Sequence, residues 1–185
     1  MLPKSLLALL TASLLFGYGA APAKAVKIAS PGAACSLLGA AQASGFLGGA
    51  AHVVHETNKK GSGATVLNRG CSYSSGDELI AYTANTYAGV GLAKAIFATT
   101  KKATLASTPN LFLMGADSVK IAGSPGFARL HRLIPGDGEA PPAKEFLYMV
   151  VVRKGASILV LEYGANDLDS MPPLYTLSKK ITVRM

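Results

Sequence analysis

The sequence predicts an α+β protein with an antiparallel sheet flanked by helices, and three observations support this. Short runs of β-branched and aromatic residues are separated by polar turns, as in β-hairpins. Three segments show the apolar spacing of a helix. The strand-like runs follow one another between single helices, which favours antiparallel pairing over a parallel array. The predicted order is α-β-β-β-α-β-β-β-β-α.

The first 25 residues have the three parts of an export signal. Lys4 supplies a positive charge, an apolar core runs from Ser5 to Phe16, and an A-K-A cleavage motif ends at Ala25. This core is shorter than the roughly 18 apolar residues of a retained membrane span. We therefore expect a secretory signal peptide over residues 1–25, cleaved after Ala25. Residues 26–185 are expected to form a single α+β domain that is periplasmic or secreted, with no transmembrane segment.

Cys35 and Cys71 are the two cysteines of the chain, 36 positions apart. Exported proteins form disulfides readily, because their compartment is oxidising. The spacing is not that of a C-x-x-C redox pair, and two ligands are too few for a structural zinc site. We predict a structural disulfide between them that ties the first helix to the first hairpin.

The first elements of the mature chain are predicted from glycines that interrupt or end helices and from β-branched residues. Cys35–Leu38 and Ala40–Leu47 are expected to be helical, with an interruption near Gly39 and an end at two glycines. His52–Thr57 is predicted to be a strand. Asn58–Gly70 is rich in lysine, glycine, serine and asparagine, and is expected to be an exposed loop.

A hairpin and a helix are predicted next. The strand-like segments Gly70–Tyr73 and Leu79–Asn85 flank a polar turn. In Tyr87–Ala103 the spacing of apolar residues changes to that of a helix, because Leu92 and Ile96 fall on one helical stripe. This predicts the second helix of the fold.

The second half is predicted to hold four strands and a final helix. Glu145–Arg153 and Ala156–Tyr163 are apolar at consecutive positions, so both faces of the sheet should be covered by helices. Ser170 and the prolines that follow it indicate a helix start. The other predicted elements here are the strands Ser118–Ala122 and Gly126–Ile134 and the loop Pro135–Pro142.

Four short motifs carry a family resemblance: the C-S-L-L run at Cys35, the helix end at Leu47-Gly48, the C-S-Y run at Cys71, and Met114–Ser118. The chain resembles small exported bacterial proteins of unknown function, many of them lipoproteins. In these a Cys-x-Leu-Leu helix precedes a Cys-Ser/Thr-Tyr strand, and Met114–Ser118 is similar to a Gly-Asp turn. They have been likened to the PsbP-like α+β fold. The resemblance implies a fold and a compartment but no reaction. This chain departs from it at Gly39–Gln42 and in lacking a lipid-attachment cysteine.

The net charge of the full chain is +8, and loss of the leader with its two lysines leaves 16 basic against 10 acidic residues. The lysines lie in separated pairs rather than in one block, so we interpret the charge as solvated surface. No nucleic-acid partner is expected. Electrostatic binding of anionic head groups remains an alternative.

The candidate site residues are basic. Arg129, His131 and Arg132 lie on one predicted strand, and Arg153 and Lys154 at a hairpin turn. If the strands pair, these five side chains could form an anion-binding patch; the alternative is that their charges protect a sheet edge. The other histidines, His52 and His55, are three apart on a predicted strand, so we expect them to face opposite sides and not to share a metal. We predict no metal site and no cofactor.

No catalytic signature stands out. G-x-S-x-G and S-x-x-K motifs are absent, and the pair of glycines at the start of the second helix lacks the rest of a dinucleotide fingerprint. We therefore predict a non-catalytic binding or accessory protein of the cell envelope, whose partner is an envelope protein or a small anionic ligand. An envelope-associated hydrolase is the alternative, and it requires His131 to lie near a carboxylate and a hydroxyl.

Overall fold

The computed structural model describes residues 33–61, 63–108, 110–135, 144–166 and 171–185. The predicted signal peptide lies outside these residues. The described chain forms one seven-stranded, fully antiparallel sheet with the spatial order β1-β2-β3-β7-β6-β5-β4. The strands are β1 (His52–Lys60), β2 (Thr65–Ser75), β3 (Glu78–Tyr87), β4 (Leu111–Ile121), β5 (Ser124–Leu133), β6 (Phe146–Lys154) and β7 (Ser157–Ala165).

Helices cover both faces of this sheet. A short 3-10 helix, Ala33–Ser36, precedes α1 (Ala40–Leu47); α2 is Val90–Ala103 and α3 is Met171–Arg184. The 3-10 helix, α1 and α3 pack on one face, which we call the disulfide face, and α2 packs on the opposite face, which we call the α2 face. The predicted α+β class and element order are confirmed.

The central strands explain why two faces are covered. In β6, Tyr148, Val150 and Val152 point into the core of the disulfide face, whereas Met149 and Val151 point towards α2. Since successive residues of a strand point to opposite sides, an unbroken apolar run needs cover on both. The tight turn predicted after this strand is present, and Gly155 adopts the positive φ of +57° that it requires.

A disulfide between Cys35 and Cys71 joins the 3-10 helix to β2, with the two Cα atoms 5.2 Å apart. This confirms the predicted pairing. The hydroxyl of Tyr73 donates a hydrogen bond to the backbone carbonyl of Leu38 beside it. Burial raises the pKa of Tyr73, and likewise that of Tyr82, to about 12, so both phenols stay neutral. The link between the helices and β2 is therefore covalent, polar and buried.

Two expectations about local structure are wrong. Asn58–Gly70 is mostly strand, because β1 continues to Lys60 and β2 begins at Thr65. The polar residues of this segment lie partly on the exposed edge strand β1 and partly on its neighbour β2, rather than in a loop. Met114–Ser118, compared above with a turn, lies inside β4. The predicted Pro135–Pro142 loop falls largely outside the described residues, as does Ser170.

Candidate ligand-binding site

A surface pocket of about 590 Å³ lies at the end of the sheet where β4, β5 and β6 meet. Its volume is within the range of small-molecule sites. Apolar side chains form most of the wall, and one cation, one carboxylate and one amide supply the polar groups. The lining residues are Phe112, Arg132, Leu133, Ile134, Pro135, Glu145 and Asn166.

Two large apolar side chains of the pocket are unusually open to solvent. Phe112 is 53% exposed and Ile134 is 41% exposed. Phe112 belongs to the edge strand β4 and is paired in register with Arg132 of β5. Because directly opposed residues point to the same face, the phenyl ring and the guanidinium project side by side. The sheet register thus places an apolar wall next to a positive charge.

The polar groups of the pocket are held by the backbone around them. Arg132 Nη2 lies 2.9 Å from Glu145 Oε1, and more than two fifths of each side chain remains exposed. The Glu145 N–H donates to Asn166 Oδ1 over 3.3 Å, and the Glu145 carbonyl accepts from the Leu133 N–H over 2.8 Å. These bonds hold the Glu145 backbone beside the end of β5, within reach of the Arg132 guanidinium. An exposed pair of this kind exchanges partners at little cost, so the guanidinium is accessible to an anionic ligand.

Arg129, predicted to belong to an anion patch, is instead buried, with 1% of its surface exposed. Its guanidinium lies over the Phe127 ring, 4.6 Å from the ring centroid. It donates to the backbone carbonyls of Asp117, Ala128 and Lys101 over 3.3, 2.7 and 3.3 Å. Burial lowers its pKa, and the Asp117 carboxylate opposes this. Arg129 thus joins β5 to the last turn of α2, where the helix dipole favours a cation.

His131 has a similar role one turn further along the helix. It is 1% exposed, and its Nε2–H donates to the Thr104 carbonyl over 3.3 Å. Burial lowers its pKa, which favours the neutral ring. Its Nδ1 has no hydrogen-bond partner among the described residues. A backbone carbonyl, and not a carboxylate or hydroxyl, is therefore the partner observed for the histidine on which the hydrolase alternative depends.

The remaining members of the predicted patch lie elsewhere. Arg153 and Lys154 are at the far end of β6, where Lys154 Nζ donates to the Thr182 and Val183 carbonyls over 3.0 and 3.2 Å. The structure therefore distributes the five residues over three places, and Arg132 is the one that lines the pocket. The alternative that these charges protect an edge is wrong for β5, since β5 lies between β4 and β6.

Glu162 is a polar group that sequence analysis missed. It lies on the α2 face of β7, paired with Ala81 on one side and Met149 on the other. Glu162 is half-buried, and desolvation beside these apolar neighbours raises its pKa to about 7. A glutamate in an apolar strand gives no sign of its environment until the register is known. The signal available was its position inside an otherwise apolar run.

The two exposed histidines lie on the same face, which corrects the expectation for a regular strand. His52 is paired with Ser74 and His55 with Ser72, and the register shifts between Val53 and His55. This β-bulge adds one residue to β1, so that positions three apart in sequence are two pairing positions apart. Among the described residues, no group of three or more histidine, cysteine, aspartate or glutamate side chains could hold a metal ion.

Comparisons with known proteins give a distant structural likeness. No model of a known protein family matches the sequence, and no curated protein matches it. The solution structure of cyanobacterial PsbP (CyanoP) from Synechocystis sp. PCC 6803 is similar over 70% of this chain and 78% of that one. The two share 9% sequence identity, with a TM-score of 0.35. None of the helices in the described part of the chain is long and apolar enough to cross a membrane.

Proposed function

We propose that this protein is an exported, non-catalytic binding module of the cell envelope, and that it takes a small amphipathic anion in the pocket around Arg132. The pocket is the observation that carries the proposal, because it places a guanidinium between exposed apolar side chains. The buried Cys35–Cys71 disulfide supports export, since such bonds persist in oxidising compartments. Cleavage after Ala25 is part of this proposal.

The chemistry of the pocket defines the class of ligand. An anionic group of the ligand would replace Glu145 as the partner of Arg132, and its apolar body would cover Phe112 and Ile134. Removing these two apolar side chains from water is favourable in proportion to the area buried. The Asn166 side chain lies on the same wall, where its Oδ1 accepts from the Glu145 N–H. A ligand with only a charge would contact the guanidinium alone, and a ligand with only an apolar body would contact the apolar side chains alone.

The test uses 8-anilinonaphthalene-1-sulfonate, an aromatic sulfonate whose fluorescence rises in an apolar site. We expect saturable binding to the folded protein, weakened at least about tenfold in Arg132→Gln and in Phe112→Ala. Arg153→Gln is the matched control, because it removes the same charge at the far end of the sheet. Thermal unfolding of each variant checks that the fold is retained.

Three outcomes would count against the proposal. Equal losses of probe affinity in Arg132→Gln and Arg153→Gln would mean that binding depends on the net charge of the protein and not on the pocket. Unchanged binding in both pocket variants would place the probe elsewhere. Absence of saturable binding by the wild-type protein would remove the pocket as a ligand site.

A further inference from the structure

We propose that His52 and His55 form a two-histidine site for a divalent transition-metal ion on the outer edge of the sheet. The proposal arises from the β-bulge in β1, which turns both imidazoles to the same face. In a regular strand, residues three apart would point to opposite faces and could not reach one ion. The extra residue, Val54, converts this spacing into that of alternate strand residues.

The geometry of β1 suits chelation by two imidazoles. The partners of the two histidines, Ser74 and Ser72, are themselves two residues apart on β2. At about 3.3 Å per residue, this puts the two histidine backbones about 7 Å apart along the strand. Two imidazoles at this separation can turn towards a shared ion between them. Both paired residues on β2 are serines, whose side chains are small.

The surroundings of the site favour accessibility and partial preorganisation. Both histidines are exposed on an edge strand, so an ion reaches them directly from solvent. The His55 Nε2 lies 2.8 Å from the Thr57 hydroxyl, which is on the same face. Hydrogen bonds of this kind orient metal-binding histidines and fix their tautomers. Thr57 is therefore assigned a positioning role.

Imidazole donors define the class of ion. Neutral imidazole nitrogen suits copper, zinc and nickel, and among divalent ions of this row copper binds such donors most tightly. Two protein ligands leave the other coordination positions to water, so the site should be exchangeable rather than structural. The site is independent of the proposed function, because β1 and β4 are opposite edges of the sheet.

The experiment titrates the disulfide-bonded protein with Cu²⁺ alone in a non-coordinating buffer, followed by calorimetry and electron paramagnetic resonance. We expect one site per chain with nitrogen hyperfine structure from two imidazoles. His52→Ala and His55→Ala should each weaken binding at least about tenfold. The buried third histidine, His131, remains in all variants as an internal reference.

The decisive control relocates one histidine without changing their number. In the double variant His55→Ala/Glu56→His, the second imidazole moves to the opposite face of β1, so binding should be as weak as in His55→Ala. Equal Cu²⁺ affinity of this variant and the wild type would overturn the proposal. Unchanged affinity in the single alanine variants, or a spectrum with fewer than two imidazole nitrogens, would overturn it as well. None of these outcomes bears on the pocket at Arg132.

Discussion

The two faces of the sheet are held by different kinds of interaction. On the disulfide face, aliphatic and tyrosine side chains pack under the 3-10 helix, α1 and α3, and the Cys35–Cys71 bond closes one end. On the α2 face, a smaller apolar cluster is bordered by the buried polar side chains Arg129 and His131. The first face gains stability from burial and a crosslink, whereas the second depends on polar groups that tie β5 to the end of α2.

The largest effect is expected on the disulfide face. Replacing both cysteines, Cys35→Ser/Cys71→Ser, should lower the free energy of unfolding by about 3–4 kcal/mol, because a loop of this length is no longer closed in the unfolded chain. Chemical denaturation of the oxidised wild type and the double variant measures the difference. A loss below about 1 kcal/mol would show that packing alone holds the helices on this face.

The next effect concerns the buried cation of the α2 face. Arg129→Met keeps most of the side-chain volume but removes the hydrogen bonds to the Lys101, Ala128 and Asp117 carbonyls. We expect a loss of about 2–3 kcal/mol, since hydrogen bonds from a charged donor are the strong ones. Arg153→Met is the matched control and should cost less than about 1 kcal/mol. Equal stability of Arg129→Met and the wild type would mean that desolvation of the guanidinium cancels its bonds.

These two faces also differ in how far the sequence predicts them. The disulfide face could be predicted from the cysteine pair, the apolar runs and the spacing of apolar residues in the helices. The predicted order of elements in the chain is confirmed. The role of Arg129 could not be predicted, because it depends on α2 ending over β5. In the sequence, Arg129, His131 and Arg132 form one basic run, but strand alternation sends the first two inwards under α2 and the third to the pocket.

Bulges limit prediction at both edges of the sheet. The register shifts of β1, before His55, and of β4, between Leu113 and Gly115, change which residues share a face. Nothing in the local composition marks the extra residue, so the alternation rule misplaced His52 relative to His55. The pocket could be predicted only in part, as the basic residue Arg132. Its apolar wall depends on the pairing of Phe112 with Arg132, which is known only from the register of β4 and β5 in the structure.

The third prediction concerns the pH dependence of stability on the α2 face. Burial raises the pKa of Glu162 to about 7, so the folded protein keeps a proton that the unfolded chain loses near pH 4.5. Stability contributed by this group is therefore present at low pH and is lost as pH rises through about 7. In Glu162→Gln this loss should be absent. Between pH 5 and pH 8, the free energy of unfolding of the variant should therefore rise by about 1–2 kcal/mol relative to that of the wild type. Urea unfolding of both proteins at the two pH values measures it.

A contrast with His131 sharpens this result. Burial lowers the pKa of His131 below its ordinary value of 6.5, so the unfolded chain takes up a proton more readily than the folded one. Its contribution is present at neutral pH and is lost as pH falls below about 6.5. The two groups therefore give slopes of opposite sign. A Glu162→Gln variant with the same pH profile as the wild type would show that this carboxyl is solvated in the folded protein.

The smallest effect returns to the disulfide face. Tyr73→Phe removes the hydroxyl that donates to the Leu38 carbonyl but leaves the buried ring in place. We expect a loss of about 1 kcal/mol, the usual net contribution of one neutral hydrogen bond. Repeating the substitution in the Cys35→Ser/Cys71→Ser background tests whether the bond and the crosslink act together. A larger loss in that background would mean that, once the disulfide is absent, this hydroxyl positions the chain between the 3-10 helix and α1. Equal losses in the two backgrounds would show that the bond acts independently of the crosslink.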